Sequence, residues 1–258
     1  MGKVISVFNQ KGGVGKTTTQ INLSVAIAGL GKKVLMIDND PQGNSTSGIG
    51  IDKHTIDNSL YEALLEEADV ADCIIATKIE GLDILPSTIS LAGAEIEMTS
   101  MAHREYLLKN LTDRVKDRYD YIFIDCPPSL GLLTLNSLVA ADSVVIPIQC
   151  EFYALEGVSQ LMNTYRLVKK NLNKNLEIQG IVLNMYDSRN NLSIQVAEEV
   201  RNFFKAKVYN AIIPRNVRLA EAPSYGLSIF DYDPGSKGAL AYKELAEEFL
   251  WAEGDELK

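Results

Sequence analysis

A glycine-rich segment near the start of the chain reads Asn9-Gln10-Lys11-Gly12-Gly13-Val14-Gly15-Lys16-Thr17-Thr18-Thr19. It lies between an apolar run, residues 4–8, and a helical pattern of apolar side chains over residues 21–30. A strand, a glycine-rich loop and a helix, in this order, form the setting of a phosphate-binding loop. Glycine has no Cβ to obstruct a phosphate, and the loop amides and the start of the helix face the anion together. The segment therefore predicts a site for nucleotide phosphates.

Lysine and threonine side chains supply the chemistry of this segment. Lys16 brings a positive charge to the β- and γ-phosphates, and the Thr17 hydroxyl is a ligand for Mg²⁺. The usual pattern, G-x-x-x-x-G-K-[ST], requires glycine at position 10. This chain has Gln10 there, followed by a second lysine, Lys11. The residues expected to contact the nucleotide are Lys11, Gly12, Gly13, Val14, Gly15, Lys16, Thr17 and Thr18.

Six apolar runs recur along the chain, at residues 4–8, 34–37, 121–124, 143–148, 178–183 and 208–213. They are nearly continuous rather than alternating, as expected for strands that are covered on both faces. Helical patterns lie between them, which predicts an α/β fold with a mostly parallel sheet and helices on both faces. We expect one domain over residues 1–258, whose ligands bind beyond the carboxyl ends of the strands.

Acidic residues follow two of these runs. Asp38 and Asp40 come at the end of the second run, within the segment D-N-D-P-Q-G-N of residues 38–44, and Asp125 ends the third run. The first segment is rich in turn-forming residues, so a turn without chemistry is the alternative there. An acid at a strand end beside a phosphate loop typically holds Mg²⁺. The predicted metal-binding residues are Thr17, Asp38 and Asp125, and we expect Asp40 to lie close to the γ-phosphate.

The middle and the end of the chain carry weaker signals. Residues 60–65 predict a short helix, residues 82–85 a short strand ended by proline, and residues 96–115 a longer amphipathic helix. The last helix is expected over residues 238–251. Its apolar residues at helical spacing, which we expect to be buried, are Leu240, Leu245, Phe249 and Leu250.

Composition and charge exclude several protein classes. The chain carries 25 Lys and Arg against 34 Asp and Glu, a net charge of −9. This balance argues against a surface coated in basic charge and against strong non-specific attraction to membranes, although it leaves room for a local basic patch. The sequence has no run of eighteen apolar residues, so a membrane-spanning helix is not expected. The scattered Cys73, Cys126 and Cys150 predict buried free thiols in a reducing cytoplasm.

Three segments together resemble one protein family. K-G-G-V-G-K-T-T at residues 11–18 resembles the deviant Walker A motif of the ParA/MinD ATPases. D-N-D-P-Q-G-N at residues 38–44 is similar to the corresponding segment of the ParA/Soj branch, and residues 213–226 are highly typical of that branch. The resemblance to the ParA/Soj partitioning ATPases extends over essentially the whole chain. It implies a P-loop NTPase fold, ATP and Mg²⁺ as cofactors, and slow ATP hydrolysis.

The resemblance also implies roles for single residues. Lys11 corresponds to the signature lysine, which reaches across an ATP-dependent homodimer to the phosphates of the partner. Asp40 corresponds to the acid that positions the attacking water, and with Lys16 these residues form the expected catalytic set. The residues expected to contact the adenine are Asn184, Pro214 and Asn216.

A protein of this family would be an ATP-dependent DNA-partitioning switch for a chromosome or plasmid. ATP drives dimerisation, the dimer binds double-stranded DNA without sequence specificity, and a ParB/Spo0J-type centromere-binding partner stimulates hydrolysis. We therefore expect a cytoplasmic protein that is not bound to membranes and that associates with the nucleoid when it carries ATP. The expected DNA-binding residues are Arg189, Arg215 and Arg218, and further candidate cations are Lys205, Lys207 and Lys237.

Three other functions are alternatives. A MinD-like membrane-associated regulatory ATPase would carry a basic amphipathic tail, whereas residues 251–258 carry three acidic residues and one lysine. An iron–sulfur protein would need paired cysteines at a dimer interface, and Cys126 and Cys150 do not have that spacing. A small-molecule ligase or kinase on the same fold would need a substrate pocket, which the sequence does not identify.

Overall fold

One eight-stranded sheet organises the chain in the computed structural model, which describes residues 2–151 and 154–255, without the side chains of 154–156. The strands are β1 (Lys3–Val7), β2 (Val34–Asp38), β3 (Ile75–Ala76), β4 (Leu82–Leu85), β5 (Tyr121–Asp125), β6 (Ser143–Gln149), β7 (Glu177–Tyr186) and β8 (Val208–Pro214). Their spatial order is β3-β4-β2-β5-β1-β6-β7-β8. Only the pair of β3 and β4 is antiparallel within the described ranges. The predicted mostly parallel α/β sheet is therefore confirmed.

Helices connect the strands and cover both faces of the sheet. They are α1 (Lys16–Gly29), α2 (Asn44–Gly48), α3 (Leu60–Leu64), α4 (Val70–Cys73), α5 (Leu91–Met98), α6 (Leu107–Val115), α7 (Leu132–Ala140), α8 (Ala154–Asn171), α9 (Asn191–Phe204), α10 (Val217–Glu221), α11 (Ile229–Tyr232) and α12 (Lys237–Glu253). On one face, α1 and α12 pack on the sheet, where the ring of Phe249 lies 5.3 Å from that of Tyr121 and 5.6 Å from that of Phe123. The opposite face is covered by the helices from α3 to α9. Burial on both sides explains why the central strands are apolar along nearly their whole length.

The carboxyl ends of the central strands meet at one edge of the sheet. Val7 at the end of β1 and Asp38 at the end of β2 both lie opposite Asp125 at the end of β5. The glycine-rich loop follows β1 at this edge, and the ends of β6 and β7 continue the edge on the other side of β1. Residues that are far apart in the sequence are thus collected where ligands of parallel sheets bind.

The helix predicted over residues 96–115 is interrupted, and this prediction was wrong. Helix α5 ends at Met98 and α6 begins at Leu107. The hydroxyls of Thr99 and Ser100 donate hydrogen bonds to the carbonyls of Ile96 and Glu97, at 2.6 Å and 3.0 Å. Short hydroxyl side chains of this kind compete with the helical backbone for its acceptors. The chain then turns through residue 103, which has a positive φ of 55°, before α6 starts.

The last helix forms as predicted, with one exception in its buried face. Leu245, Phe249 and Leu250 are buried in the core, but Leu240 is 55% exposed. Its neighbours Ala239 and Ala241 face the core instead, because each step along a helix rotates the side chain by about 100°.

The prediction that the three cysteines are buried free thiols is confirmed. The cysteines, Cys73, Cys126 and Cys150, are free and buried, and burial raises the pKa of each thiol to about 11. No helix in the described ranges combines the length and the apolar character needed to cross a bilayer.

Candidate functional site

The glycine-rich loop lines a cavity of about 390 Å³ at the carboxyl edge of the sheet. Gly13 and Gly15 adopt positive φ angles of 74° and 88°, which only glycine tolerates easily, and Gly15 precedes the first turn of α1. The cavity is lined by Gly12, Gly13, Gly15, Lys16, Thr17, Thr18, Asp40, Gln42, Asn44, Pro128 and Met185. Backbone amides at a helix N-terminus and a lysine in one cavity form a suitable cradle for an anion.

The two lysines of the loop occupy different places. Lys16 is buried and lines the cavity, where its Nζ donates a hydrogen bond to the carbonyl of Lys11 at 3.1 Å. Burial lowers the pKa of Lys16, while the charges of Asp125 and Asp40 act in the opposite direction. Lys11 is half-exposed and does not line this cavity in the described part of the chain. The loop therefore directs Lys16 toward its own phosphate site, whereas Lys11 lines a separate small cavity with Ile148 and Gln149.

Asp125 lies at the bottom of the site and is fully buried. Its Oδ2 accepts hydrogen bonds from the hydroxyls of Thr17, at 2.6 Å, and Ser45, at 2.8 Å. Its Oδ1 has no hydrogen-bond partner among the described residues, and burial raises the pKa of the carboxyl to about 6. A buried carboxylate oxygen without a partner beside a threonine hydroxyl fits a Mg²⁺ site, because Mg²⁺ takes one or two protein oxygens and completes its shell with phosphates and water. Sequence reasoning missed Ser45, whose position depends on how α2 packs against β5.

Asp38 lies beside Asp125 but has partners of its own. Its Oδ2 accepts hydrogen bonds from the backbone N–H and the hydroxyl of Thr46, at 2.8 Å and 2.7 Å. The backbone N–H of Asp40 donates to its Oδ1 at 3.3 Å. Complete burial and then the neighbouring charge of Asp125 raise the pKa of Asp38 to about 7. The two hydrogen bonds from Thr46 show that α2 helps to fix the carboxyl group of Asp38. The role of Asp38 as a metal-binding residue stays a prediction.

Asp40 is more accessible than the other two acids. It is half-buried and lines the phosphate cavity, and its Oδ1 accepts a hydrogen bond from the backbone N–H of Gln42 at 2.9 Å. A carboxylate at the wall of a phosphate site is placed to contact a water molecule beside the terminal phosphate. Its predicted role in hydrolysis is untested, but its position is suitable for that role.

A second cavity of about 490 Å³ adjoins the first and shares Gly15, Thr18 and Met185 with it. It is mainly apolar and brings together the three residues predicted to contact the base, Asn184, Pro214 and Asn216. Asn184 also supports the loop, because its Nδ2 donates to the carbonyl of Val14 at 2.9 Å. Met185, which sequence reasoning missed, lies at the junction of the two cavities. A phosphate cradle joined to an apolar slot has the form of a nucleotide site.

The six candidate DNA-binding cations do not form one cluster. Arg189, Arg215 and Arg218 follow the carboxyl ends of β7 and β8, whereas Lys205 and Lys207 precede the amino end of β8. Lys237 begins α12, next to Gly238, which approaches Leu219 of α10.

Each of the three arginines is paired with a carboxylate. Arg189 contacts Asp187 at 3.0 Å and Arg215 contacts Glu151 at 2.9 Å. Arg218 contacts both Glu221 and Asp233, as separate ion pairs at 2.9 Å and 3.5 Å. These exposed cations thus lie together near the base cavity, but a phosphate would have to displace their acidic partners.

A group of acidic residues also lies at the opposite edge of the sheet. A cavity of about 530 Å³ near the amino ends of β1 and β5 is lined by Asp120, Asp142, Glu253 and Asp255, together with Lys3 and Lys116. Part of the net negative charge of the chain therefore lies away from the nucleotide site.

Comparison with known proteins gives consistent results. Residues 2–178 match the family model described as "AAA domain". The chain is 59% identical over 248 residues to the sporulation initiation inhibitor protein Soj of Bacillus subtilis, covering 96% of this chain and 98% of that protein. It is 50% identical over 255 residues to the chromosome partitioning protein ParA of Caulobacter vibrioides, covering 98% and 96%.

Two solved structures share this fold. Cobyrinic acid a,c-diamide synthase from Mycobacterium smegmatis, with bound ADP and magnesium, is similar with a TM-score of 0.85 and 37% identity, covering 100% of this chain and 98% of that one. The cell division ATPase MinD of Pyrococcus furiosus is similar with a TM-score of 0.80 and 32% identity, covering 96% and 98%.

Proposed function

The chain belongs to the ParA/Soj family of partitioning ATPases, and we propose on this basis that it is an ATP-dependent DNA-partitioning switch. The observation that carries the proposal is the pair of adjoining cavities at the carboxyl edge, one with Lys16, Thr17 and Asp40 on its wall and the other apolar. Together they match the phosphate and base portions of ATP. A solved relative that holds ADP and magnesium on the same fold supports this assignment.

Lys16 and the loop amides would bind the phosphates of ATP, and Thr17 and Asp125 would hold Mg²⁺, with Asp38 beside them. When bound, Mg²⁺ neutralises charge on the phosphates and holds their oxygens in position. Asp125 Oδ1, which has no hydrogen-bond partner among the residues that the structure describes, supports this assignment. Asn184, Pro214 and Asn216 would contact the adenine.

Hydrolysis would require groups from two protomers. Asp40 would orient the attacking water, while Lys11 would contact the phosphates of the partner protomer. The half-exposed position of Lys11, outside the lining of its own phosphate cavity in the described part of the chain, supports such a role. A cation supplied from outside stabilises the charge of a phosphoryl-transfer transition state, as an arginine finger does. By the family resemblance, hydrolysis would be slow in the isolated protein and accelerated by a ParB/Spo0J-type partner.

DNA binding would involve the exposed arginines near the base cavity, Arg189, Arg215 and Arg218. One protomer offers few phosphate contacts, and an ATP-dependent homodimer doubles them, so DNA affinity would rise with ATP. Phosphate contacts carry no base information, so binding would not depend on sequence. The ATP-bound dimer would then associate with the nucleoid, and hydrolysis would release it.

Two alternatives have weaker support. A MinD-like membrane regulator corresponds to the MinD structure, which is less similar at 32% identity. Residues 251–255 contain two acids and no basic residue, and residues 256–258 lie outside the described residues. A small-molecule amide-forming ligase would act like the cobyrinic acid a,c-diamide synthase, but the chain is only 37% identical to that enzyme and 59% identical to Soj. Vesicle flotation with ATP would reveal the first function, and ADP release dependent on a carboxylic acid and an amine donor would reveal the second.

The deciding experiment is titration of unrelated DNA duplexes at several salt concentrations, with ATP, with ADP and without nucleotide. Wild-type protein should bind every duplex equally, and only with ATP. Lys16→Ala should not bind DNA, because it should lose tight ATP binding. Arg218→Glu should bind ATP and dimerise but lose DNA affinity. Removal of one phosphate contact per protomer should also make the negative slope of log affinity against log salt less steep, by about 1.8 per dimer.

The matched control is Arg114→Glu. The side chain of Arg114 is 48% exposed and pairs with Asp69 at 3.0 Å, and the side chain of Arg218 is 51% exposed. Both replacements therefore reverse the charge of an exposed, ion-paired arginine. Arg114 lies on α6, far from the ends of β7 and β8, and its replacement should leave DNA binding intact. A marked preference for one duplex, ATP-independent binding or equal losses in both variants would contradict the proposal.

Lys11→Ala tests the dimer. This variant should bind ATP, since Lys16 and the loop amides are retained, but it should remain monomeric in size-exclusion chromatography with ATP. Dimerisation with wild-type ATP dependence would exclude the contact of Lys11 with the partner.

A further inference from the structure

Asn39 occupies an unusual position between the two acids that follow β2. It is fully buried, and its Nδ2 donates hydrogen bonds to the carbonyl of Leu133, at 2.8 Å, and to the hydroxyl of Ser137, at 2.7 Å. Its backbone N–H donates to the carbonyl of Asp125 at 3.1 Å. One residue thus joins the acidic segment, strand β5 and helix α7. Buried hydrogen bonds of this kind restrict the positions of the groups that they join.

The first turn of α7 is connected to the site from several sides. Asn39 holds the carbonyl of Leu133, and the Glu95 carboxylate of α5 accepts a hydrogen bond from the N–H of Leu133 at 3.3 Å. The hydroxyl of Thr134 donates to the carbonyl of Ser129 at 2.7 Å. Ser129 belongs to the segment between β5 and α7, in which Pro128 lines the phosphate cavity. Movement of α7 would therefore be transmitted both to this segment and, through Asn39, to the segment that carries Asp40.

Asp40 itself has few restraints. Its half-buried side chain accepts one hydrogen bond within the described ranges, from the N–H of Gln42 two residues ahead. Its placement over the phosphate cavity consequently depends on the backbone on either side, which Asn39 anchors. A catalytic group displaced by about 1 Å can lose on the order of 100-fold in rate, although the substrate still binds.

We infer that Asn39 is a positioning residue that couples Asp40 to helix α7, so that the rate of ATP hydrolysis depends on the position of α7. The inference rests on the ATPase activity proposed above and adds to it the structural element that controls the rate. It assigns no contact between Asn39 and ATP.

Asn39→Ala removes both hydrogen bonds to α7, and Ser137→Ala removes one of them. We expect Asn39→Ala to lower the single-turnover rate of ATP hydrolysis at saturating Mg·ATP by about 10-fold or more, with ATP affinity changed by less than about 3-fold, because Asp40 shifts while Lys16 and the loop remain in place. Ser137→Ala should lower the rate less. The double variant should hydrolyse ATP no more slowly than Asn39→Ala alone, because the two residues share one bond.

The matched control is Asn173→Ala. The Nδ2 of Asn173 donates to the carbonyls of Leu138, Val139 and Ala141 at the other end of α7, at 3.0, 3.2 and 2.7 Å. Its replacement should lower the melting temperature but leave the rate of hydrolysis within about 2-fold of wild type, since it does not touch the acidic segment. Thermal melting of all variants separates lost stability from lost positioning.

The outcomes distinguish this inference from the proposed function. If wild-type protein does not hydrolyse ATP, the proposed function and this inference both fail. If wild-type protein hydrolyses ATP and Asn39→Ala does so at the rate of Asn173→Ala, the inference alone fails. It also fails if Asn39→Ala loses ATP affinity in proportion to its rate. Should Asn39→Ala not fold, an unchanged rate for Ser137→Ala overturns the inference.

Discussion

Replacement of Asp38 by asparagine should remove part of the pH dependence of the free energy of unfolding of the nucleotide-free protein. Burial raises the pKa of Asp38 from 3.8 to about 7. Because the folded protein retains a proton that the unfolded chain has released between these pH values, the free energy of unfolding falls as pH rises through this range. At about 1.36 kcal/mol per pKa unit, the buried charge costs roughly 4 kcal/mol above pH 7.

Most of this cost appears within an accessible pH range. Between pH 5 and pH 7 the wild-type free energy of unfolding should fall by roughly 2–3 kcal/mol because of Asp38 alone, and this contribution should level off above pH 7. The asparagine side chain in the Asp38→Asn variant would be neutral throughout, and its oxygen would still accept from Thr46. The variant should therefore gain stability relative to wild type as pH rises. The measurement is urea denaturation at pH 5, 6, 7 and 8 without nucleotide or Mg²⁺.

Asp117→Asn is the control, because Asp117 is exposed at the opposite edge of the sheet. It should retain the wild-type pH dependence. A constant difference between Asp38→Asn and wild type from pH 5 to 8, or one that grows in favour of wild type, would refute the reasoning. If Asp38 acts at the metal site, saturating Mg·ATP should stabilise wild type more than the variant at pH 8.

Three further changes have defined outcomes. Gly15→Ala would place a Cβ against the Asn184 amide, at a position where φ is 88°. The backbone angle alone should cost about 1–2 kcal/mol of stability, which denaturation measures. The variant should also bind ATP more weakly in nucleotide titrations. Asp40→Ala should bind ATP normally, stop hydrolysis and accumulate a dimer in size-exclusion chromatography, and normal turnover would exclude its catalytic role. Glu221→Gln should remove the shorter of the two ion pairs of Arg218 and leave the one with Asp233. It should raise the DNA affinity of the ATP-bound protein about 2- to 5-fold in duplex titrations, which is the scale of an exposed pair. Unchanged affinity would show that the pair with Glu221 does not compete with DNA.

Local patterns were sufficient to predict the framework of the site. The glycine loop between β1 and α1 and the acids after β2 and β5 depend on a few neighbouring residues, because buried parallel strands are continuous apolar runs and their ends collect at one edge. Asn184 and Pro214 could be assigned to a base cavity only through the family resemblance. The cavity that joins them to the loop appears in the structure.

Other features depend on contacts that no local pattern encodes. Helix α5 ends before Thr99 and Ser100, although the apolar spacing of the sequence continues beyond them. In α12, Ala239 is buried and Leu240 is exposed because of the way this helix packs on the sheet. The partners of the buried polar groups at the site also depend on tertiary packing.

Thr46 and Ser45, both on helix α2, donate hydrogen bonds to Asp38 and Asp125. Asn39 donates to the carbonyl of Leu133 on α7, which is 94 residues away in the sequence. Sequence determined which residues are polar, apolar or flexible, and hence the strands, the loop and the acids at strand ends. Only the tertiary structure decided which polar groups pair in the interior, because a buried donor must find its acceptor among whatever surfaces the packing of helices brings against it.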